Sequence, residues 1–174
     1  MADLKELIRS VPDFPKKGIM FRDITTLLKN GEAFKQAVAA MAAPFSKDHV
    51  DLVAAVEARG FILGGAVACR LGAGFVPLRK PGKLPAETVE KTYALEYGTD
   101  AVAVHRDAVQ PGQKVLMLDD LLATGGTMAA ACQLVGHLGG EIVGCVFLIE
   151  LSFLKGRDKL GAYRLVSLID YDSE

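Results

Sequence analysis

Asp119 and Asp120 stand side by side behind the apolar run Val115-Leu116-Met117-Leu118, and Ala123-Thr124-Gly125-Gly126-Thr127 follows two leucines later. Small residues that let a ligand approach the backbone, two hydroxyls and the start of a helical pattern make a loop suited to a phosphate. Adjacent carboxylates beside it suit vicinal hydroxyls, which donate charge-assisted hydrogen bonds to them. A diol next to a monophosphate is the pattern of ribose 5-phosphate. Glu57-Ala58-Arg59-Gly60 is a second such place, where backbone amides and a guanidinium suit another phosphoryl group. Each stretch taken alone has a plainer reading. The aspartates equally suit a strand–helix junction, and an arginine in such a loop is commonly a solvated surface residue. Neither GxxxxGK[ST] nor GxGxxG occurs, which excludes a P-loop and a dinucleotide fingerprint.

Both stretches need strands to present them. Asp51–Glu57, Gly74–Leu78, Lys114–Asp119 and Glu141–Leu151 are apolar runs suited to strands covered on both faces, and Phe61–Gly72 and Thr127–Leu138 have helical period. This alternation predicts an α/β fold with a mostly parallel central sheet flanked by helices, and ligands then bind beyond the carboxyl ends of the strands. Upstream, Asp3 is expected to cap a helix through about Arg9, Pro12 and Pro15 force an irregular stretch, and Glu32–Phe45 forms the first long helix. Thr92–Tyr97 and Ala101–His105 alternate as strands, joined by a turn at Gly98-Thr99-Asp100. They predict an antiparallel excursion at the sheet edge, approached by a polar, proline-containing segment that reads as a mobile loop.

The chain of 174 residues, with 51% hydrophobic and 24% charged residues, fits one domain with a substantial core. A net charge of -1 gives no global support to a nucleic-acid partner. No apolar run approaches the about 18 residues of a membrane span, and the charged N-terminal segment lacks the apolar core of a signal peptide. Cys69, Cys132 and Cys145 have no metal-site spacing and read as reduced core thiols of a cytoplasmic protein, and His49, His105 and His137 receive no role.

With these stretches in hand, VLMLDDLLATGGT resembles the phosphoribosyl pyrophosphate motif of type I phosphoribosyltransferases. FPKKGIMFRDITTLL, EARGFILGG, VPLRKPGKLP and LEYGTD resemble, in order, signatures of the adenine-specific members of that family. The resemblance runs from about Phe14 to Glu150 and departs at Lys17-Gly18, where the family has Pro-Gly.

The resemblance implies a type I phosphoribosyltransferase fold in which about residues 1–30 form a small hood and about 83–105 a mobile lid that excludes water. It implies transfer of ribose 5-phosphate from phosphoribosyl pyrophosphate to adenine, giving AMP and pyrophosphate, in a cytoplasmic homodimer with no nucleic-acid or membrane partner. Asp119 and Asp120 would hold the ribose hydroxyls, and Ala123, Thr124, Gly125, Gly126 and Thr127 the 5-phosphate. Glu57, Ala58, Arg59, Gly60, Arg79, Lys80 and Lys83 would surround the pyrophosphate. Mg²⁺ would be held mainly by the substrate's pyrophosphate and ribose hydroxyls, without a dedicated protein ligand. Phe21 would stack on adenine, backbone groups of Met20 and Arg22 would read its edge, and Leu121 would join them. Glu96, Tyr97 and Arg59 would be catalytic, with Glu96 as general acid/base. By pattern alone Glu96 is the outward residue of an alternating strand and Phe21 a core aromatic. A non-catalytic regulator of the same fold and a transferase for another base are the rival readings; the former would need an added DNA-binding segment or a basic face.

Overall fold

The computed structural model describes residues 3–94 and 98–173. Leu4–Leu7 form turns rather than the expected helix, and the Asp3 carboxylate accepts from Lys5 N at 2.9 Å. Arg9–Val11 (β1) instead pairs antiparallel with Phe21–Asp23 (β2), in the register Val11↔Phe21. Ile8 is buried in the main core, so tertiary cover outweighs local helix preference here. Thr25–Leu28 (α1) and Gly31–Ala42 (α2) follow, and the Asn30 side chain caps α2 by accepting from Ala33 N. The expected helix through Phe45 ends in a 3₁₀ turn, Ala43–Phe45, at Pro44.

Five parallel strands form the central sheet: Leu52–Val56 (β3), Gly74–Leu78 (β4), Lys114–Leu122 (β7), Glu141–Leu151 (β8) and Leu165–Tyr171 (β9), in the order β4-β3-β7-β8-β9. Arg59–Leu71 (α3) follows β3, and Gly126–His137 (α4) follows β7. Side chains alternate between the faces. Val53, Ala55, Leu116, Leu118, Val146 and Leu148 meet α2 and α3, whereas Ala54, Val56, Val115, Met117, Cys145 and Phe147 meet α4. This two-sided burial explains why the strands read as apolar runs rather than as alternating ones.

The two aspartates do not follow β7 but lie within it. Pairing of β3 with β7 stops at Ala55↔Leu118, whereas pairing of β7 with β8 continues to Leu122↔Glu150. Asp119 and Asp120 therefore border a gap at the carboxyl edge of the sheet. The last strand, β9, carries the irregular sequence Leu165-Val166-Ser167-Leu168-Ile169-Asp170-Tyr171 and escapes the pattern reading altogether.

The antiparallel excursion consists of Thr88–Ala94 (β5) and Thr99–His105 (β6), a separate two-stranded sheet. Strand β6 starts at Thr99, so Thr99 and Asp100 belong to a strand rather than to the expected turn. One bridge, Arg79↔Ala103, ties β6 to the end of β4, and Val102 and Val104 are buried in the core that α4 shares. Of the cysteines, Cys132 and Cys145 are buried with their sulfurs 3.8 Å apart. Cys69 is exposed, not a core thiol, because it falls on the outer face near the end of α3.

Candidate active site

The residues after β7 turn sharply into α4. Gly125, at the start of that helix, has φ +76°, a left-handed conformation that glycine adopts without strain, and no side chain caps the helix. Among the described residues no side chain therefore partners the first-turn amides of α4, which suits an anion. A recess of about 80 Å³ lies against Leu122, Ala123, Thr124, Gly125, Gly126 and Thr127. Asp119, Leu121 and Thr127 also line an adjoining cleft of about 280 Å³, so the two spaces meet at these residues.

The same cleft is lined by Glu57, Ala58 and Arg59, which follow β3. Arg59 opens α3, and its Nε lies 2.9 Å from Asp120 Oδ2. The N–H does not align with that oxygen, so Oδ2, buried in the site, has no hydrogen-bond donor among the described residues. Gly60 admits the other carboxylate: a Cβ there would sit 2.8 Å from Asp119 Oδ1. Asp119 Oδ1 accepts from Asp120 N at 2.8 Å. Burial, and then the adjacent Asp120 charge, push the Asp119 carboxyl well above the ordinary aspartate range. Burial also raises Asp120, with the Arg59 guanidinium opposing it.

The other cations of the cleft, Arg79 and Lys80, are held in place by carboxylates. Glu57 accepts from Arg79 Nε at 2.7 Å and from Lys80 N at 2.6 Å. Burial of Glu57 is outweighed by these two bonds, and its pKa is lowered. Thus the Glu57 side chain orients Arg79 and Lys80, leaving only its backbone to face an anion. Lys80 Nζ pairs with Asp100, whose carboxyl that bond holds below its usual range. Arg79 Nη1 also donates to Lys83 O at 3.0 Å; Lys83 itself is exposed and does not line the cleft.

On the hood side, the Arg59 guanidinium lies 4.8 Å from the centre of the Phe21 ring, and Phe14 packs edge-on against that ring at 5.1 Å. Phe21 is half-buried and Met20 precedes it, half-buried as well. The Arg22 side chain points away from the cleft, stacking 3.9 Å above Tyr171 and donating to Ser10 Oγ, which leaves its backbone as the part near Arg59. Leu121 lines the cleft. Glu96 and Tyr97 lie outside the described residues.

Sequence reasoning missed Tyr93, Asp100 and Gly156. Thr127 Oγ1 donates to Tyr93 Oη at 3.1 Å, and Tyr93 Oη donates to Asp100 Oδ2 at 3.2 Å. The signal for this pair was the β5–β6 alternation, which places Tyr93 opposite Asp100. Gly156 had no local signal, because the backbone it packs against, at Ala123 and Gly125, lies far upstream in the sequence. Among the described residues, no group of three or more His, Cys, Asp or Glu could hold a metal ion, and no helix is long and apolar enough to cross a membrane.

A parallel sheet whose carboxyl edge joins an anion-suited loop, paired aspartates and a cationic loop has the architecture of a phosphoribosyl transferase domain, and the family model of that description matches residues 25–173. The adenine phosphoribosyltransferase of Clostridium perfringens is 56% identical over 169 residues, spanning 97% of this chain and 98% of that one. That of Thermotoga petrophila is 57% identical over 169 residues, spanning 97% and 99%. Among solved structures, adenine phosphoribosyltransferase from Thermoanaerobacter pseudethanolicus superimposes with a TM-score of 0.94 at 54% identity, covering 97% of this chain and 98% of that one. The Giardia lamblia enzyme in complex with 9-deazaadenine gives 0.92 at 40% identity, covering 98% and 97%. The chain belongs to the adenine phosphoribosyltransferase family.

Proposed function

We propose that this chain transfers the ribose 5-phosphate unit of phosphoribosyl pyrophosphate to N9 of adenine. The bond from the anomeric carbon to pyrophosphate breaks, a bond to N9 forms, and AMP and pyrophosphate leave. The observation that carries this reading is one cleft lined by Arg59, Arg79, Lys80, Asp119, Asp120 and Thr127, adjoining the recess of the loop 123–127. Cations, paired carboxylates and an anion-suited loop in connected space suit a substrate that carries both phosphate groups and hydroxyls.

In this reading Asp119 and Asp120 accept from the ribose hydroxyls, and among the described residues no donor is aligned with Asp120 Oδ2. The amides after Gly125 and the Thr124 and Thr127 hydroxyls receive the 5-phosphate. Backbone at Glu57, Ala58 and Gly60, together with Arg59, Arg79, Lys80 and Lys83, receives pyrophosphate. As the anomeric bond breaks, negative charge grows on the leaving group, and preformed cations stabilise it there. Phe21 stacks on adenine, Leu121 borders it, and backbone at Met20 and Arg22 reads its edge. A fixed acceptor for the exocyclic amine rejects a 6-oxo purine, which would leave that acceptor unpaired. Glu96 takes the proton released from N9, with Tyr97 beside it.

Among the described residues no group of three or more His, Cys, Asp or Glu could hold Mg²⁺, which fits an ion held mainly by the substrate's pyrophosphate and ribose hydroxyls. When bound through substrate oxygens it would neutralise charge on the pyrophosphate. Residues 1–174 act as one domain with a hood at about 1–30 and a lid at about 83–105, in a cytoplasmic homodimer. Exposed Ile62 on α3 and Phe75 on the edge strand β4 are apolar surface suited to a subunit contact.

The test is a base panel. The chain is incubated with phosphoribosyl pyrophosphate, Mg²⁺ and adenine, hypoxanthine, guanine, xanthine, uracil or orotate, and pyrophosphate is measured. Release with adenine alone is expected. Release with another base in preference to adenine would overturn the assignment, and release with none would favour a non-catalytic regulator.

A further inference from the structure

The loop 123–127 has to hold a defined shape with little of its own to hold it. Its glycine at 125 is left-handed and no side chain caps the helix that follows. What braces it comes from a distant part of the chain, the 3₁₀ turn Gly156–Leu160. Here backbone packs directly on backbone. A Cβ at Gly125 would lie 2.4 Å from Gly156 O, and a Cβ at Gly156 would lie 2.2 Å from Ala123 O and 3.1 Å from Gly125 N. No other residue type fits at either position without moving the loop.

The turn is itself anchored at both ends. Leu160 is buried in the core beneath α4. Arg157, next to Gly156, makes a two-pronged ion pair with Glu150: Nε and Nη2 each donate to one carboxylate oxygen at 2.7 Å. Glu150 also accepts from Ser167 Oγ at 2.5 Å, and Arg157 Nη2 donates to that same hydroxyl at 3.0 Å. Glu150 is only 3% exposed. It sits on β8 opposite Leu122, the last residue of β7 before the loop begins. The ion pair therefore joins the end of β8, which pairs with the end of β7, and Ser167 of β9 to the turn that covers the loop. A buried carboxylate with a forked guanidinium fixes orientation as well as charge.

We propose that Glu150, Arg157 and Gly156 are positioning residues for the 5-phosphate: the ion pair presses the Gly156 backbone onto Ala123–Gly125 and so keeps the loop amides aimed at the anion. This rests on the reading that loop 123–127 receives the 5-phosphate of the sugar. None of the three residues touches substrate. Their effect is to remove alternative loop shapes before binding, which lowers the ordering cost at the phosphate end alone.

The experiment compares the wild-type chain with Arg157→Lys, Glu150→Gln and Gly156→Ala. Ribose 5-phosphate is titrated calorimetrically, steady-state constants are measured for phosphoribosyl pyrophosphate and adenine, and melting curves report folding. Arg157→Lys keeps the charge but loses the fork, so the ribose 5-phosphate Kd and the KM for phosphoribosyl pyrophosphate are expected to rise about tenfold. The KM for adenine and kcat at saturating phosphoribosyl pyrophosphate should stay within about twofold. Gly156→Ala should raise the ribose 5-phosphate Kd further, and if it does not fold, Arg157→Lys decides. Folded variants with wild-type ribose 5-phosphate affinity would overturn the proposal, as would equal losses for sugar phosphate and adenine, which mark a merely structural role. A wild-type chain that binds ribose 5-phosphate but transfers nothing would refute the transferase reading while leaving the clamp testable by titration. A wild-type chain that binds no ribose 5-phosphate would remove the basis of both.

Discussion

Replacing Asp120 by asparagine separates binding from stability. The substitution keeps the side chain's shape and removes one charge from a site where burial already disfavours it. In the substrate complex it weakens the charge-assisted bonds to the ribose hydroxyls, each worth roughly 1.5–3 kcal/mol. At about 1.4 kcal/mol per factor of ten, loss of one such bond lowers kcat/KM for phosphoribosyl pyrophosphate by roughly 10- to 150-fold. Arg59 loses its partner at 2.9 Å, but its side chain is 34% exposed and faces the cleft, so water solvates it. Stability should then move the other way. A carboxyl whose folded pKa is raised contributes stability that is present at low pH and lost as pH rises through that pKa. Near neutral pH, Asp120→Asn should therefore melt at the same temperature as wild type or higher. The assay pairs initial rates at varied phosphoribosyl pyrophosphate and fixed adenine with melting curves. Wild-type kcat/KM, or a loss confined to adenine, would show that Asp120 does not hold the sugar.

Phe21→Ala removes the stacking partner, so the KM for adenine should rise about 2- to 10-fold, from roughly 0.5–1.5 kcal/mol for an aromatic pair, while that for phosphoribosyl pyrophosphate holds; equal changes in both would rule out a base contact. Because Asp119 is raised by burial and then by Asp120, kcat/KM for phosphoribosyl pyrophosphate should fall on acidification at a pH above the ordinary aspartate range, and Asp119→Asn should abolish that limb of the profile; a limb that persists belongs to another group. Glu57→Gln frees Arg79 and Lys80 from their anchor, raising the KM for phosphoribosyl pyrophosphate. Since Glu57 is lowered in the folded state, its stabilising effect is present above the unfolded glutamate pKa and lost as pH falls, so the wild-type and Glu57→Gln melting temperatures should converge in acid. Glu96→Gln should lower kcat by at least about 100-fold, the usual scale of acid–base catalysis, with both KM values little changed; wild-type turnover would end its assignment.

Local chemistry made the parts of the candidate site readable. Asp119-Asp120 and Ala123–Thr127 stand out by residue type and order, because carboxylates suit a diol and free amides suit a phosphate. Strands β3, β7 and β8 were legible for a similar reason, since burial on both faces demands continuous apolar runs; the edge strand β4 is apolar too, although Phe75 on it is exposed. Three misreadings share the opposite cause. The N-terminal segment has local helix signals, yet Arg9–Val11 pairs with Phe21–Asp23, across a loop that no local pattern specifies. Asp100 has the composition of a turn, but its side chain is used by Lys80 and Tyr93 from a strand. Cys69 has apolar neighbours in sequence, while the helix turns it outward.

The order of residues alone thus determined the chemical groups on offer, paired carboxylates beside a small-residue loop, and that parallel strands present them, because hydrophobic period and side-chain chemistry are local properties. Only the folded chain decided that β7 outruns β3 to open the cleft, that Glu57 and Asp100 hold the cations, and that Gly156 covers the loop at Gly125. These depend on strand lengths, registers and backbone contacts between residues far apart in sequence, which are settled by packing the whole molecule at once.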